Sequence, residues 1–253
     1  MREVLFQIGG LRIFSYGFFV AVGILVATIW LVQQVKKEGK SPDVVIDTVL
    51  IGVIAGIIGA RLFYIFLYEP EYYLANPLRI LYTWEGGLAF YGGLLLGFVC
   101  ILIYLFRVRI PILTFLDLAA PATALGYGIA RFGCFMNGCC YGKVTTVPWG
   151  VVFPVIDGAT RHPTQLYSIL SSFLIFIILL WIKRRGARFR GQLFSLALIL
   201  YGLSRSVIEL FRENTQLSGG SMEASMAALS IAAFGGIIYL FLFLAKRRGV
   251  LRL

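Results

Sequence analysis

Long apolar runs, broken by short polar and basic clusters, set the pattern of this chain. The runs cover about residues 13–35, 44–67, 88–106, 113–135, 164–182, 193–211 and 226–244. Each is close to the ~20 apolar residues that an α-helix needs to cross a bilayer. The pattern predicts an all-α integral membrane protein with seven transmembrane helices. Ser41 and Pro42 look like the start of the second span, as a cap followed by a first-turn proline. Within that span Gly52 and Gly56 form a small-xxx-small face suited to close helix packing.

Two polar stretches interrupt the pattern. Residues 68–87, read as YEPEYYLANPLRILYTWEGG, are rich in aromatics, Pro and Glu. They predict an interfacial loop with short helical pieces, because Tyr and Trp favour the headgroup level. Residues 137–163 form the longest non-apolar connection. No polar stretch is long enough for a separate domain, so residues 1–253 are expected to form a single transmembrane domain with these two outer-face loops. The N-terminal segment Met1–Arg12 is short and mildly polar. The strongest basic cluster near it, Lys36–Lys37, follows the first apolar run, so that run reads as a retained span and not as a cleaved signal.

Charge sets the orientation. With the N-terminus outside, the inner segments carry fourteen Lys and Arg and the outer segments six. The inner set includes Lys36, Lys37, Lys40, Arg107, Arg109, the cluster from Lys183 to Arg190, and Lys246 to Arg252. The positive-inside rule then places the N-terminus outside and the C-terminus in the cytoplasm. The net charge of +11 would suggest nucleic acid on a soluble protein. Here its placement between apolar runs fits topology and anionic lipid instead. A hydrophobic content of 59% and a mean hydropathy of +0.87 exclude an ordinary soluble domain, which is about 45–50% apolar.

Three arginines fall inside the predicted spans: Arg61, Arg131 and Arg205. A charge at that depth is costly and is usually paired or functional. One reading is structural pairing with Asp117 or Glu209, or snorkelling near the span ends. The other is an anion site, since the guanidinium fork suits phosphate and keeps its charge when buried. Arg205, Glu209 and Arg212 follow at i, i+4 and i+7 and share a helix face. Arg131 lies in Gly126–Gly142, GYGIARFGCFMNGCCYG, which ends in a glycine- and cysteine-rich turn. The only histidine, His162, precedes Pro163 at the start of the fifth span, where a helix N-terminus attracts anions. Cys134, Cys139 and Cys140 have no paired partner motif, so small buried thiols are expected and no metal site; a vicinal disulfide or reactive thiol is the alternative. Cys100 reads as core. Gly86–Gly87 and Gly92–Gly93 admit either tight packing or close approach of backbone to a ligand.

Several motifs in order resemble the prolipoprotein diacylglyceryl transferase family. They are Tyr16-Gly17, Gly59-Ala-Arg61, Trp84-Glu-Gly-Gly-Leu-Ala-Phe-Tyr-Gly-Gly93, Gly128-Ile-Ala-Arg-Phe-Gly-Cys-Phe-Met-Asn-Gly138, Arg161-His-Pro-Thr-Gln-Leu-Tyr167, and Tyr201-Gly-Leu-Ser-Arg205 through Glu209-Leu-Phe-Arg-Glu213. The resemblance implies a seven-span enzyme of the bacterial cytoplasmic (inner) membrane, without cofactor. It implies transfer of a diacylglyceryl group from phosphatidylglycerol to the lipobox cysteine in a prolipoprotein signal peptide. Arg131 and Arg205 would then meet the phosphate, with Glu209 orienting Arg205 and with Asn137 and Gly138 shaping the headgroup pocket. Tyr16, Arg61, Arg161, His162, Gln165, Tyr167 and Arg212 fall at further substrate-binding positions.

The chain also departs from the family pattern. Tyr91 stands where the family carries the histidine taken as its base candidate, and it inherits the catalytic position. Cys134 and Cys139 replace Asn and Glu, and Ser168 stands where Glu is frequent. Tyr91, His162 or ionisation of the thiol in the positive field are the three ways to supply a base. Two other functions fit the residues: a paralogue that passes a phospholipid group to a different acceptor through Cys139 and Cys140, and a non-catalytic phospholipid-binding or transport protein.

Overall fold

The computed structural model describes residues 3–8, 11–39, 41–82, 86–154, 156–213 and 220–248. Trp84 and Glu85 of the Trp-Glu-Gly-Gly string lie outside these residues, as do Arg2, Lys40 and Arg252 of the charge comparison. Among the described residues, seven helices are long and apolar enough to cross a membrane. They are α1 (Ser15–Lys37), α2 (Asp43–Tyr68), α4 (Phe90–Arg107), α5 (Ile112–Asn137), α6 (Thr164–Arg185), α7 (Gln192–Phe211) and α8 (Gly220–Arg247). A short helix α3 (Pro70–Ala75) and a 3₁₀ turn (Pro77–Leu81) fill the first polar stretch, as its composition predicts. Large apolar side chains such as Leu25, Ile54, Phe66, Leu94 and Phe241 are exposed on the helices. That is the arrangement of helices that face lipid and keep their backbone bonds internal.

The chain divides into two compact units. Val32–Phe115 is one of them, and its centre is the pairing of α2 with α4. Glycines allow the two backbones to touch. A Cβ at Gly59 would lie 2.5 Å from the Gly92 carbonyl oxygen, and one at Gly93 would lie 2.7 Å from that of Gly56. The small face read from Gly52 and Gly56 is therefore a packing seam that continues to Gly59, and Gly92–Gly93 serve packing too. Ser41 Oγ accepts the Asp43 N–H at 3.3 Å, where the Ser-Pro start is expected.

The other unit holds residues 1–31 and 116–253. Its first element is a feature that the mildly polar N-terminus conceals: an antiparallel hairpin, β1 (Val4–Ile8) with β2 (Leu11–Phe14). α1 meets α5 through glycine, since a Cβ at Gly23 would lie 2.6 Å from the Gly126 carbonyl oxygen. α7 meets α8 in the same way at Gly202 and Ala228. Ala120, Ile175, Leu179 and Leu193 form an apolar core between α5, α6 and α7. Beside it, Asp117 accepts the Gly191 N–H (2.6 Å) and the Phe194 N–H (2.9 Å). The carboxylate thus serves the N-terminal end of α7, where unpaired N–H groups and the helix dipole favour a negative charge. This corrects the pairing of Asp117 with an intramembrane arginine: backbone donors take both of its oxygens.

The long polar connection contains a second small hairpin, β3 (Val151–Val152) with β4 (Thr160–Arg161). Gly142 bridges to Arg212, so the turn after α5 is tied to the end of α7.

Candidate active site

The end of α5 builds the first part of the site. Gly138 has φ of +71°, the left-handed conformation that ends helices and that glycine adopts without cost. The Gly138 N–H reaches the Phe135 carbonyl (3.2 Å) and the Cys139 N–H reaches the Cys134 carbonyl (3.1 Å). This pair of bonds is the Schellman motif. It folds Cys139 back beside Cys134. Cys140 follows with φ of +62°, uncommon for a side-chain-bearing residue. The first turn of α6 holds this strained turn in place: Thr164 Oγ1 donates to the Cys140 carbonyl (2.6 Å) and Gln165 Nε2 to the Cys139 carbonyl (2.7 Å).

The arginines surround the turn. Arg131 Nη2 donates to Tyr127 Oη at 2.5 Å, and its guanidinium lies 4.7 Å from the Tyr127 ring centroid. Arg131 Nη1 approaches Cys134 Sγ at 3.8 Å. Tyr127 packs edge-on against Tyr201 at 5.6 Å, which connects α5 to the helix face that carries Arg205. Arg205 pairs with Glu209 at 2.5 Å, and Arg212 lies 3.5 Å from the other oxygen of the same carboxylate. Arg212 Nη2 also donates to Cys140 Sγ at 3.3 Å. Two guanidinium groups, those of Arg205 and Arg212, thus share one buried carboxylate, and those of Arg131 and Arg212 reach the thiols. The Nε atoms of Arg131 and Arg212 and Gln165 Oε1 are buried without a hydrogen-bond partner. Buried donors and acceptors of this kind are costly unless a ligand meets them.

Electrostatics distinguishes the two thiols beyond α5. Cys140 is held well below the usual thiol range by hydrogen bonds from Cys134 and Cys139, with the Arg212 and Arg131 charges adding to the effect. Cys139 is pushed up: its bond with Cys134 lowers it, but the bond with Cys140 and burial outweigh that.

Arg161 has a different environment from the other three. It binds Asp157 at 2.6 Å and contacts Glu213, and its Nη1 also reaches the Gly142 carbonyl. Its guanidinium lies 5.1 Å from the Tyr141 ring. The guanidinium holds the Asp157 carboxyl below its ordinary range through that hydrogen bond. Arg161 therefore ties the 137–163 connection to the end of α7. His162 Nδ1 lies 3.0 Å from Tyr167 Oη, and its ring packs on Phe211 at 5.1 Å. Tyr167 Oη also accepts the Trp149 indole N–H at 2.8 Å. Tyr16, on the first turn of α1, lies beside α5: a Cβ at Gly133 would be 3.1 Å from its backbone. Asn137 is the last residue of α5.

Two candidate residues belong to the Val32–Phe115 unit. Arg61 is buried and donates to five backbone carbonyls: Ile80 from Nε, Gly86 and Gly87 from Nη1, Arg79 and Tyr82 from Nη2. These bonds match the five N–H groups of a guanidinium. Arg61 is thus the tie that closes the loop between α3 and α4. Arg61→Lys is expected to free part of that loop, because three ammonium donors cannot replace a planar fork. Faster proteolysis within residues 77–89, with helix content retained, is the expected readout. Tyr91 is three-quarters exposed on the first turn of α4, edge-on to Phe90 at 5.7 Å.

Tyr127 escapes a motif-based reading although it holds Arg131. The signal that could have found it is its i, i+4 spacing to Arg131.

Residues 3–243 match the family model described as prolipoprotein diacylglyceryl transferase. The chain is 36% identical to the phosphatidylglycerol–prolipoprotein diacylglyceryl transferase of Clostridium tetani, covering 96% of this chain and 97% of that protein. It is 39% identical to the protein of the same name from Geobacter sulfurreducens, over 83% and 82%. For the namesake in Bordetella parapertussis the identity is 34%, over 94% of each.

Proposed function

Because this chain belongs to the prolipoprotein diacylglyceryl transferase family, we propose that it moves a diacylglyceryl group from phosphatidylglycerol to a prolipoprotein cysteine. The bond that forms joins the acceptor sulfur to the glyceryl carbon. The bond that breaks joins that carbon to a phosphate oxygen, and the electron pair leaves with glycerol phosphate. The thiol proton passes to a base or to water.

One observation carries this reading: Arg131 and Arg212 present buried, unpartnered Nε–H groups, and the single carboxylate of Glu209 is already shared by Arg205 and Arg212. The excess positive charge suits a phosphate that gains negative charge as the carbon–oxygen bond breaks. Arg131 and Arg205 are the phosphate ligands in this scheme, Arg212 flanks them, and Glu209 fixes the direction of Arg205. Asn137 and Gly138, at the end of α5, border the headgroup. The commitment of Arg61 and Arg161 to loop contacts assigns them to positioning rather than to phosphate binding. Gln165, whose Nε2 holds the Cys139 carbonyl, offers its buried Oε1 to the headgroup. Tyr16 and the His162–Tyr167 pair complete the substrate-binding set. The same positive field favours the acceptor thiolate, whose reference pKa is about 8.5. Tyr91 and His162 are the side-chain alternatives for the proton.

The acceptor is the lipobox cysteine of a signal peptide, and the enzyme sits in the bacterial cytoplasmic membrane with its N-terminus outside. The excess of Lys and Arg in the segments assigned to the inside supports that orientation.

The test is reconstitution of purified protein with phosphatidylglycerol and a lipobox peptide. A thioether-linked diacylglyceryl peptide, found by mass spectrometry, is the expected product. A folded protein that binds phosphatidylglycerol but modifies no peptide overturns the reading and leaves the lipid-binding alternative. Rates for Tyr91→Phe and His162→Gln across pH then decide the base: loss of the acidic limb in one variant assigns it, and an unchanged profile in both assigns ionisation to the arginine field.

A further inference from the structure

Three thiols remain outside this chemistry. Cys134, Cys139 and Cys140 bring their Sγ atoms within 4.8 Å of one another. The backbone converges them: the Schellman turn at Gly138 returns Cys139 to Cys134, and Cys140 takes its left-handed conformation under the clamp of Thr164. None of the three is joined in a disulfide.

We infer that these cysteines form a trithiolate site for a soft d¹⁰ metal ion, zinc or copper(I), with one coordination position open. Zinc–sulfur bonds are about 2.3 Å long, so a planar ZnS₃ unit has edges of about 4 Å, and each sulfur need move by only about half an ångström to make it. Thiolates select soft ions over magnesium or calcium. No fourth His, Cys, Asp or Glu joins the cluster among the described residues, which leaves the open position. Three thiolates around a divalent ion carry a net charge of −1. Arg212, 3.3 Å from Cys140 Sγ, and Arg131, 3.8 Å from Cys134 Sγ, supply the compensating cations. A disulfide would need two sulfurs at about 2.05 Å and would leave the third unused.

The binding step involves no change of oxidation state: one zinc(II) or copper(I) ion replaces whatever protons the three sulfurs still carry, and the trithiolate complex has a net charge of −1 with zinc and −2 with copper(I). Affinity therefore rises with pH as the thiols lose protons.

The test uses full-length protein in nanodiscs, reduced and freed of metal, with cadmium(II) as the spectroscopic probe. One equivalent is expected to raise the ultraviolet thiolate-to-cadmium charge-transfer band, and zinc or copper(I) is expected to displace it. In the unsubstituted protein, cadmium should shield Cys134, Cys139 and Cys140 from alkylation while Cys100 still reacts. This measurement holds whether or not variants fold. Cys139→Ser and Cys140→Ser are each expected to weaken binding by more than the ~10–100-fold that loss of an outer-shell partner costs. Cys100→Ser should bind as the parent does. The inference fails if no band develops, if the band survives Cys139→Ser, or if mild oxidation joins two of the thiols in a protein that takes up no metal.

Discussion

Arg131→Ala is expected to lower the rate of diacylglyceryl transfer by about 100- to 1000-fold, the range for loss of one preorganised donor to a developing anion. The expectation follows from how α5 holds the side chain. Tyr127, one turn earlier, accepts from Nη2 at 2.5 Å and lies beneath the guanidinium. The charge is thus fixed in direction before substrate arrives, and Nε remains buried with its proton uncommitted. Charge on the leaving phosphate is greatest in the transition state, so kcat should fall more than KM rises. Arg131→Lys should recover only part of the loss, because an ammonium restores the charge but not the planar fork. Initial rates with a lipobox peptide check this, alongside thermal unfolding to confirm a folded variant. A rate within threefold of the parent protein would remove Arg131 from the phosphate site.

The arginine group was legible from spacing because helices convert i, i+4 and i+7 into a shared face. Arg205, Glu209 and Arg212 meet as that rule requires. The spans were legible for a similar reason: apolar length alone determines what can cross a bilayer, and α6 begins at Thr164, where Pro163 implies. Residues that act across long separations were not. Asp117 finds its donors 74 and 77 residues away at the start of α7, and no local pattern announces a carboxylate serving another helix. Arg61 has the look of a buried ligand until the loop carbonyls that it holds are known. The thiol cluster was hidden in another way. Its C-x4-C-C spacing lacks the usual paired metal motif, and the sulfurs converge only through two left-handed residues, Gly138 and Cys140, on either side of Cys139. Nothing in the one-dimensional pattern requires a cysteine to take that conformation.

Glu209→Ala should destabilise the fold by about 3–5 kcal/mol, the cost of removing one partner from a buried ion pair. Glu209 is 1% exposed, and its two oxygens serve two different arginines. Its loss leaves Arg205 and Arg212 without their shared counter-charge in a region that already contains Arg131. Glu209→Gln keeps the shape and one acceptor oxygen, so it should fall between the parent and the alanine variant. The composition of the surrounding lipid distinguishes this account from a simple packing defect. If the arginines bind phosphate, phosphatidylglycerol offers the uncompensated pair a new partner, and nanodiscs that contain it should recover more stability in Glu209→Ala than in the parent. A neutral glycolipid without phosphate should give no such recovery. Equal recovery in both lipids would mean that Glu209 supports the helix packing alone. Recovery confined to phosphatidylglycerol would show that the carboxylate and the lipid phosphate compete for the same arginines. Activity adds a second readout: freed Arg205 binds phosphate but no longer points to one place, so kcat should drop even where phosphatidylglycerol has restored stability.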